Sequence, residues 1–250
     1  MLQKVDSLSS GNEVRIQSVD VTALLAPEYV DNFDTGWFDP DFWQAKATPV
    51  SVGGRGSAWF IERPKGDWVL RHYRRGGLVA RFNENAYLYT GERGVRSFSE
   101  FRLLQQMAEM KLPVPRPVAA GYSRHRLWYQ ASIIIERLPD VIPWGELLTR
   151  QEDCSVTWER VGRVLRSFHD KGVYHADLNC FNILIASDKV YLIDFDRGEL
   201  RRAPKVPGEG WQGANLTRLK RSILKIAGHD DRSSLALSEH WARLLAAYCG

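Results

Sequence analysis

The chain has 250 residues, of which 44% are hydrophobic and 26% charged, with a formal net charge of +4. This composition is typical of a globular protein with a substantial core, and it excludes disorder over most of the length. Three widely spaced cysteines without a CxxC pair exclude a zinc ribbon and disfavour a disulfide framework, and neither a signal peptide nor a membrane-spanning apolar run is visible, so we expect a soluble, cytoplasmic chain.

The first half of the chain is rich in predicted strands. Residues 1 to about 36 show no strong periodicity, and Asp39 followed by Pro40 then indicates the start of a short helix. Apolar segments at Ala58–Glu62 and Trp68–Tyr73, separated by the turn sequence PKGD, predict an antiparallel hairpin. A glycine-rich loop precedes this hairpin and contains Gly53, Gly54, Arg55 and Gly56.

A clear amphipathic helix follows at Ser97–Leu112, with apolar residues at helical spacing on one face. We expect Ser97 and Ser99 to cap it, and the proline-rich PVPRP to end it. Two further strands are predicted at Val118–Tyr122 and Leu127–Glu136, joined by a turn at SRHR.

The second half is rich in predicted helices. WGELLTR and VTWERVGRVLRSFHDKG form two of them, the latter ending at Gly172, and two more are predicted around 215–227 and 233–248. A short hairpin lies between them, with strands at Ile183–Ile185 and Val190–Ile193 around the turn ASDK. This order predicts an α+β protein with an N-terminal sheet lobe (1–138), a helical C-terminal lobe (139–250) and a cleft between them.

Three polar residues near this short hairpin form the strongest pattern in the chain. Asp177 and Asn182 are five residues apart in HADLNCFNILI, and Asp194 follows the apolar strand of YLIDFDRG. Phosphoryl transfer requires a carboxylate near the attacking hydroxyl and hard oxygen ligands for Mg²⁺. We therefore interpret Asp177 as the general base or hydroxyl-orienting group, and Asn182 and Asp194 as metal ligands.

The remaining parts of an ATP site are found in the first half. The glycine loop would approach the phosphates, the strand cation Arg71 would contact them and pair with Glu100 of the amphipathic helix, and the linker Glu136–Leu138, with Glu136 and Leu138 at its ends, would bind the adenine edge. Taken singly, each of these residues has an ordinary explanation as a turn, cap or surface charge. The joint pattern is much more specific.

Two further groups of residues have competing interpretations. His175 could be a base, but we interpret it as a brace for the loop around Asp177. A late group, consisting of Trp211, Asn215, Arg218 and Arg221, serves either helix capping and packing or substrate recognition.

The pattern resembles the protein-kinase-like superfamily: His175-Ala176-Asp177 is similar to the HRD of its catalytic loop, Asn182 to its metal-binding asparagine, and Asp194-Phe195-Asp196 to DFG. Ala176 in place of the HRD arginine, Asp196 in place of the DFG glycine and the lack of an APE-like segment point away from regulated protein kinases. The superfamily usually has lysine where this chain has Arg71, so Arg74 is a rival for the phosphate contact.

A closer resemblance rests on WFDPDFW, VLRHYRRGG, YHADLNCFNILI and YLIDFDRGELRR, which look like the bacterial 3-deoxy-D-manno-octulosonic acid (Kdo) kinase family, within the lipopolysaccharide core kinases. The resemblance implies a protein-kinase-like bilobal fold, ATP and Mg²⁺ as cofactors, and phosphorylation of a Kdo hydroxyl on Kdo-lipid IVA. It also implies peripheral contact with the cytoplasmic face of the inner membrane. The basic segments Arg74–Arg81 and Arg197–Lys205 suit such an anionic glycolipid.

Three other functions stay open from the sequence. EFRLLQQM followed by LPVPRP also resembles aminoglycoside-type phosphotransferases, although their cationic substrates fit the basic clusters poorly. An atypical protein kinase is a second possibility, and a pseudokinase or nucleic-acid-binding module is a third. No RNP-like motif or recognition helix is visible, so we expect no nucleic-acid partner, and no obligate protein partner is evident.

Overall fold

The structure is a computed structural model that describes residues 13–50, 57–73, 86–150, 152, 155–227 and 231–250. The described residues fall into two compact units: one lies within Met1–Gln105 together with Pro115–Arg137, and the other comprises Gln106–Val114 and Leu138–Gly250. The division after Arg137 falls next to the boundary expected from the sequence. The first unit is mainly sheet and the second mainly helix, so the predicted α+β class is confirmed.

Among the described residues, eight strands form an antiparallel sheet in the first unit, in the order β1-β2-β7-β8-β5-β4-β3, with β6 paired to the end of β8. The strands are β1 (Val14–Gln17), β2 (Thr22–Leu25), β3 (Ala47–Pro49), β4 (Ala58–Ile61), β5 (Trp68–His72), β6 (Tyr87–Leu88), β7 (Pro117–His125) and β8 (Trp128–Glu136). Both hairpins predicted from the sequence, β4-β5 and β7-β8, are present. The β7-β8 turn is only Arg126-Leu127, shorter than the predicted SRHR, with Arg126 at φ 54°.

An aromatic and aliphatic core covers one face of this sheet. Trp68, Leu70 and Ile134 point into it, and Trp37 packs on Trp68 with ring centroids 4.8 Å apart. The helix predicted at Pro40 is present as α1 (Pro40–Trp43), preceded by the Asp39 side chain, which accepts from the backbone N–H of Asp41. The aromatic rings of α1 and of the segment before it therefore cover this face of the sheet.

Helix α2 (Arg96–Glu109) begins one residue before the predicted start and ends three residues before the predicted end. The expected serine caps are wrong. Ser97 Oγ donates to the carbonyl of Gly121 at 3.0 Å, and Ser99 Oγ donates to the carbonyl of Val95 at 3.2 Å. Both hydroxyls therefore act as donors to carbonyls, whereas a cap accepts from an N–H group, and Ser97 ties α2 to β7.

The second unit contains α3 (Trp144–Arg150), α4 (Ser155–Asp170), α5 (Gly210–Ala227) and α6 (Asp231–Cys249). Short strands join them: β9 (Ile142–Pro143), β10 (Val173–Tyr174), β11 (Ile183–Ile185), β12 (Val190–Leu192) and β13 (Glu199–Leu200). Strands β12, β11 and β9 pair in that order, and β10 pairs with β13.

Two glycines allow close backbone approach in this unit. A Cβ at Gly162 of α4 would lie 2.3 Å from the carbonyl oxygen of Leu244, so α4 and α6 pack with their backbones nearly touching. Gly172 has φ 76° and follows α4, as predicted, and a Cβ there would lie 2.3 Å from the carbonyl oxygen of Arg201. The contact at Gly172 places the end of α4 directly against the backbone of Arg201.

None of the helices in the described ranges is both long enough and apolar enough to cross a membrane.

Candidate active site

The segment after β10 is held by a buried imidazole. His175 Nδ1 accepts from the backbone N–H of Asp177 at 3.1 Å, so Nε2 carries the ring hydrogen and donates to the carbonyl of Ile193 at 3.0 Å. Burial lowers the pKa of His175, and the ring is therefore neutral at physiological pH. His175 connects the loop of Asp177 to the strand that precedes Asp194, which confirms its predicted role as a brace.

Asp177 itself is open to solvent, with 58% of its side chain exposed. Its Oδ2 accepts from Asn179 Nδ2 at 3.3 Å, and its Oδ1 lies 3.4 Å from Arg218 Nη1. The brace holds the backbone of Asp177 while the carboxylate remains accessible to a ligand, which is the combination that a general base requires.

Asn182 lies on the same loop, and its amide is oriented by Asp177. Asn182 Nδ2 donates to the backbone carbonyl of Asp177 at 3.0 Å, so the amide oxygen is the atom that it can offer to a cation. The backbone carbonyl of Asn182 accepts from the N–H of Ile193 at 3.0 Å, directly across the β11-β12 hairpin. Asn182 and Asp194 are thereby brought to the same end of that hairpin.

Asp194 is half-buried and has φ 64°, a left-handed conformation that aspartate adopts more readily than most residues. The next residue, Phe195, is buried, stacks on Phe168 of α4 with centroids 5.9 Å apart, and lies 4.7 Å from the His175 ring. The buried ring anchors the chain on one side of Asp194, and the hairpin anchors it on the other. Non-glycine residues held in this region of φ and ψ are frequent at functional sites.

The oxygens at this end of the hairpin suit Mg²⁺ by type and number. Within the described residues no group of three or more His, Cys, Asp or Glu side chains could hold a metal ion. Mg²⁺ does not need one, because it usually retains waters and takes one or two protein oxygens together with nucleotide phosphates. The Asn182 amide oxygen and the Asp194 carboxylate therefore fit a nucleotide-bound Mg²⁺ and do not form a protein-only metal site.

Helix α5 supports the loop through side chains on one face. Asn215, which is buried, accepts from the backbone N–H of His175 at 3.2 Å and donates to the carbonyl of His175 at 2.8 Å. Ser222 Oγ accepts from the backbone N–H of Cys180 at 3.0 Å. Arg218, which contacts Asp177, lies between them in the sequence and on the same helical face. We call Asn215, Arg218 and Ser222 the loop-facing side of α5.

The first unit contains the predicted ion pair. Arg71 of β5 contacts the carboxylate of Glu100 of α2 through Nη2, and the hydroxyl of Tyr73 donates to the same Glu100 oxygen. The Glu100 side chain is only 3% exposed, while that of Arg71 is 23% exposed. The carboxylate is thus held by Arg71 of β5 and by Tyr73, which follows that strand, and the guanidinium retains contact with solvent.

The structure describes only two of the other predicted nucleotide-binding residues, Glu136 and Leu138. Glu136 ends β8, and its carboxylate accepts from the Tyr29 hydroxyl at 3.2 Å, so this side chain is engaged within the sheet unit. Leu138 follows in the connecting segment and is half-buried. Gly53, Gly54, Arg55 and Gly56 lie outside the described residues, as does Arg74, and their predicted roles stay predictions.

Sequence reasoning missed Tyr73, Asn179 and Ser222 as supports of the site. Tyr73 is two residues from Arg71, and the alternation of a strand places such residues on the same face, so this signal was available. Asn179 lies two residues after Asp177, a spacing at which side chains commonly bond to a local backbone. Ser222 gave no local signal, because its partner Cys180 is 42 residues away. Asn215 was singled out, but its role as a support for His175 was not predicted.

The loop, the hairpin and the ion pair belong to a fold shared with protein-kinase-like phosphotransferases, as the sequence predicted. A solved structure of WaaP in complex with acyl carrier protein superposes with a TM-score of 0.52 over 87% of this chain and 86% of that chain, at 19% identity, which establishes the likeness of fold. Residues 40–248 match the lipopolysaccharide kinase (Kdo/WaaP) family. The chain belongs to this family and is an ATP-dependent phosphotransferase.

Relatives with known names support the same assignment. The chain is 45% identical over 226 residues to the 3-deoxy-D-manno-octulosonic acid kinase of Stenotrophomonas maltophilia, covering 90% of this chain and 88% of the relative. It is 42% identical over 246 residues to the kinase of the same name from Xanthomonas axonopodis pv. citri, covering 92% of this chain and 96% of the relative. The resemblance to Kdo kinases predicted from the sequence is therefore confirmed.

Proposed function

We propose that this protein transfers the γ-phosphoryl group of ATP to a hydroxyl of the Kdo sugar on Kdo-lipid IVA, in the synthesis of the lipopolysaccharide inner core. The observation that carries the proposal is the 45% identity to a 3-deoxy-D-manno-octulosonic acid kinase over nearly the full length of both chains. The arrangement of Asp177, Asn182 and Asp194 around the braced loop supports it independently.

In the proposed reaction Asp177 orients the sugar hydroxyl and accepts its proton. The bond between the sugar oxygen and the γ-phosphorus forms as the bond from that phosphorus to the β-γ bridging oxygen breaks, and ADP leaves. The carboxylate is exposed and its backbone is fixed by His175, so it can meet a hydroxyl with little rearrangement. Positioning and charge stabilisation supply most of the rate enhancement in this type of reaction.

Asn182 and Asp194 are the proposed Mg²⁺ ligands. When bound, Mg²⁺ would neutralise charge on the β- and γ-phosphates of ATP. The protein would contribute one amide oxygen and one carboxylate, both at the same end of the β11-β12 hairpin. The bond from Asn182 Nδ2 to the Asp177 carbonyl sets the orientation of the amide, and the Phe195 anchor sets that of Asp194.

For ATP we propose that Arg71 contacts the phosphates and that Glu100 positions it. The guanidinium is partly exposed while its partner carboxylate is buried, which supports this division of roles. Arg74 remains the alternative for the phosphate contact. The glycine loop Gly53–Gly56 would approach the phosphates, and the backbone from Glu136 to Leu138 would bind the adenine edge. The partly buried bond from the Tyr29 hydroxyl to the Glu136 side chain leaves the backbone of Glu136 for this role.

We further propose peripheral contact with the cytoplasmic face of the inner membrane, where an anionic acceptor lipid would be presented. The basic segment Arg197–Lys205 supports this in part. Arg202 and Lys205 are exposed, whereas Arg201 is bound to Glu199 and lies over the Tyr174 ring with its Cζ 3.5 Å from the centroid. Arg202 and Lys205 are therefore the better candidates for contact with the lipid.

The test is to incubate the protein with ATP, Mg²⁺ and Kdo-lipid IVA and to measure the lipid by mass spectrometry. We expect the mass of one added phosphate, dependent on Mg²⁺ and absent with Asp177→Asn. Lipid IVA without Kdo is the matched acceptor control, and it should stay unmodified. Phosphorylation of an aminoglycoside or a protein in a parallel panel, without modification of the Kdo lipid, would overturn the proposal.

A further inference from the structure

Three side chains of α5 contact three positions of the loop that carries Asp177, in the same order. Asn215 bonds to His175, Arg218 to Asp177 and Ser222 to Cys180. The outer two contacts hold the backbone of the loop: Asn215 bonds both polar backbone groups of His175, and Ser222 bonds the N–H of Cys180. The middle contact differs from both, because it joins two side chains that are each more than half exposed.

The contact of Arg218 is incomplete as an ion pair. Nη1 alone reaches Asp177, at 3.4 Å, whereas a guanidinium has five N–H donors in one plane and prefers to bind a carboxylate through two of them. Asn215 and Ser222 fix the helix on both sides of Arg218, so the position of its backbone is set. The guanidinium is therefore held beside the catalytic carboxylate with donors available for a second anionic group.

The proposed acceptor carries such a group. Kdo is a sugar acid whose carboxyl group is attached directly to the sugar ring, so a cation next to the base lies within reach of the carboxylate when a hydroxyl of the same sugar is presented to Asp177. Arginine is the side chain best suited to bind a planar carboxylate through two parallel hydrogen bonds.

We propose that Arg218 binds the carboxylate of the acceptor sugar while keeping its contact with Asp177, and thereby makes the enzyme selective for a sugar acid. This inference rests on the proposed function, since it names the group of the acceptor that the site recognises. It gives Arg218 direct contact with the substrate, in contrast to Asn215 and Ser222, which act through the loop.

The experiment compares two acceptors and four forms of the protein. The acceptors are Kdo-lipid IVA and the same lipid with the Kdo carboxyl converted to the carboxamide, which keeps the shape and removes the charge. The proteins are wild type, Arg218→Gln, Arg218→Lys and Arg243→Gln. Arg243 is the matched control, because it is a half-exposed arginine of the same unit in a long ion pair, 3.9 Å from Glu159.

We expect wild type and Arg243→Gln to prefer the acid over the amide in kcat/KM, on the order of 10- to 100-fold, the range that one hydrogen bond to a charged group corresponds to. Arg218→Gln should lose much more activity on the acid than on the amide, so that the preference disappears. Arg218→Lys should retain part of the preference, since it keeps the charge but not the paired donors.

Other outcomes overturn the inference. Equal losses on both acceptors in Arg218→Gln would mean that Arg218 positions Asp177 and does not contact the sugar carboxylate. An unchanged preference in that variant, or no preference in wild type, would equally reject it while leaving the proposed function intact. If wild type phosphorylates neither acceptor, the proposed function itself has failed, and the inference fails with it.

Discussion

The two units of the molecule hold their functional polar groups in opposite ways. In the sheet unit the charged group itself is buried: the Glu100 carboxylate of α2 is bonded by Arg71 and Tyr73. In the helical unit the Asp177 carboxylate is exposed, and the buried polar groups are its supports, His175 and Asn215.

This difference separates two effects of a substitution, the loss of stability and the loss of activity. A buried charge with hydrogen-bond donors is expensive to disrupt, so the proposed role of Glu100 in ATP binding and the stability of the unit depend on the same atoms. The proposed base, Asp177, is an exposed side chain, and the groups that support its loop are buried and neutral. Variants of Glu100 should therefore lose stability and activity together, whereas variants of Asp177 should lose activity and keep their stability.

The largest expected effect is at Asp177. We expect Asp177→Asn to lower kcat for phosphate transfer on the order of 10³- to 10⁴-fold, since it removes the proton acceptor. The free energy of unfolding should change by no more than about 0.5 kcal/mol, because the side chain is exposed. Phosphate transfer assays and urea unfolding measure the two quantities. A large loss of stability in this variant would break the contrast between the units.

Glu100→Ala tests the other side of the comparison. It leaves Arg71 and Tyr73 without their shared acceptor, and we expect a loss of about 3–4 kcal/mol in unfolding free energy together with a higher KM for ATP. Urea unfolding and initial-rate kinetics check both.

The matched control for Glu100 is Glu92→Ala. Glu92 pairs with Arg15 in the same unit at 2.8 Å, but both side chains are more than a quarter exposed. We expect a loss of about 1 kcal/mol there and no change in KM for ATP. Equal losses at the two positions would show that burial is not what distinguishes Glu100.

A second buried imidazole of the helical unit, His169, should make its stability depend on pH. His169 bonds to Tyr248 at 2.7 Å, and burial lowers the pKa of His169 to about 4. The unfolded imidazole takes up a proton below pH ~6.5 while the folded one stays neutral, so stability is complete above that pH and falls as the pH is lowered toward 4. We expect His169 to account for a loss of about 3 kcal/mol across this window.

Urea unfolding at several pH values measures this dependence. His169→Gln should reduce the slope of this dependence, and the slope that remains includes the contribution of the other buried imidazole, His175, whose pKa burial also lowers. If His169→Gln has the same slope as wild type between pH 6.5 and pH 4, the neutral buried imidazole is not the source of the acid sensitivity.

The smallest effect concerns Asn215. Asn215→Ala removes the partners of both backbone groups of His175, and we expect a loss of about 2 kcal/mol in unfolding free energy. The kcat should fall as well, because the loop of Asp177 loses one of the two α5 side chains that bond its backbone. Asn215→Asp restores the acceptor but not the donor and should be intermediate. Thr217→Ala, at an exposed position on the same helix, is the control.

Local patterns in the sequence predicted much of this molecule. The β4-β5 hairpin, helix α2 and the segment from His175 to Asp194 each depend on residues close in the chain, and turn signals, helical periodicity and motif spacing are local. The ion pair of Arg71 and Glu100, 29 residues apart, was predicted by its resemblance to the kinase pattern, since no local rule connects a strand to a helix.

The features that the sequence did not predict depend on distant partners. Strand β2 (Thr22–Leu25) is buried at every position, so it has no alternation of polar and apolar residues, and it pairs with β7 almost a hundred residues later. The predicted cap at Ser97 failed for a similar reason, because a carbonyl of β7 accepts from its hydroxyl, whereas Ser99 bonds locally to the carbonyl of Val95. The role of Asn215 could not be predicted, because its partner His175 lies 40 residues earlier in the chain.

The three contacts along the loop-facing side of α5 also limit which insertions the gene can tolerate. An added residue between Asn215 and Ser222 would rotate the later part of the helix by about 100° and shift it by about 1.5 Å, so at least one attachment to the loop would be lost whatever residue was added. The spacing of residues in the loop that carries Asp177 therefore corresponds to the spacing of residues along one face of α5. A change in the length of either one would require a change in the other. Transplanting this active site into another scaffold would require moving the helix with the loop.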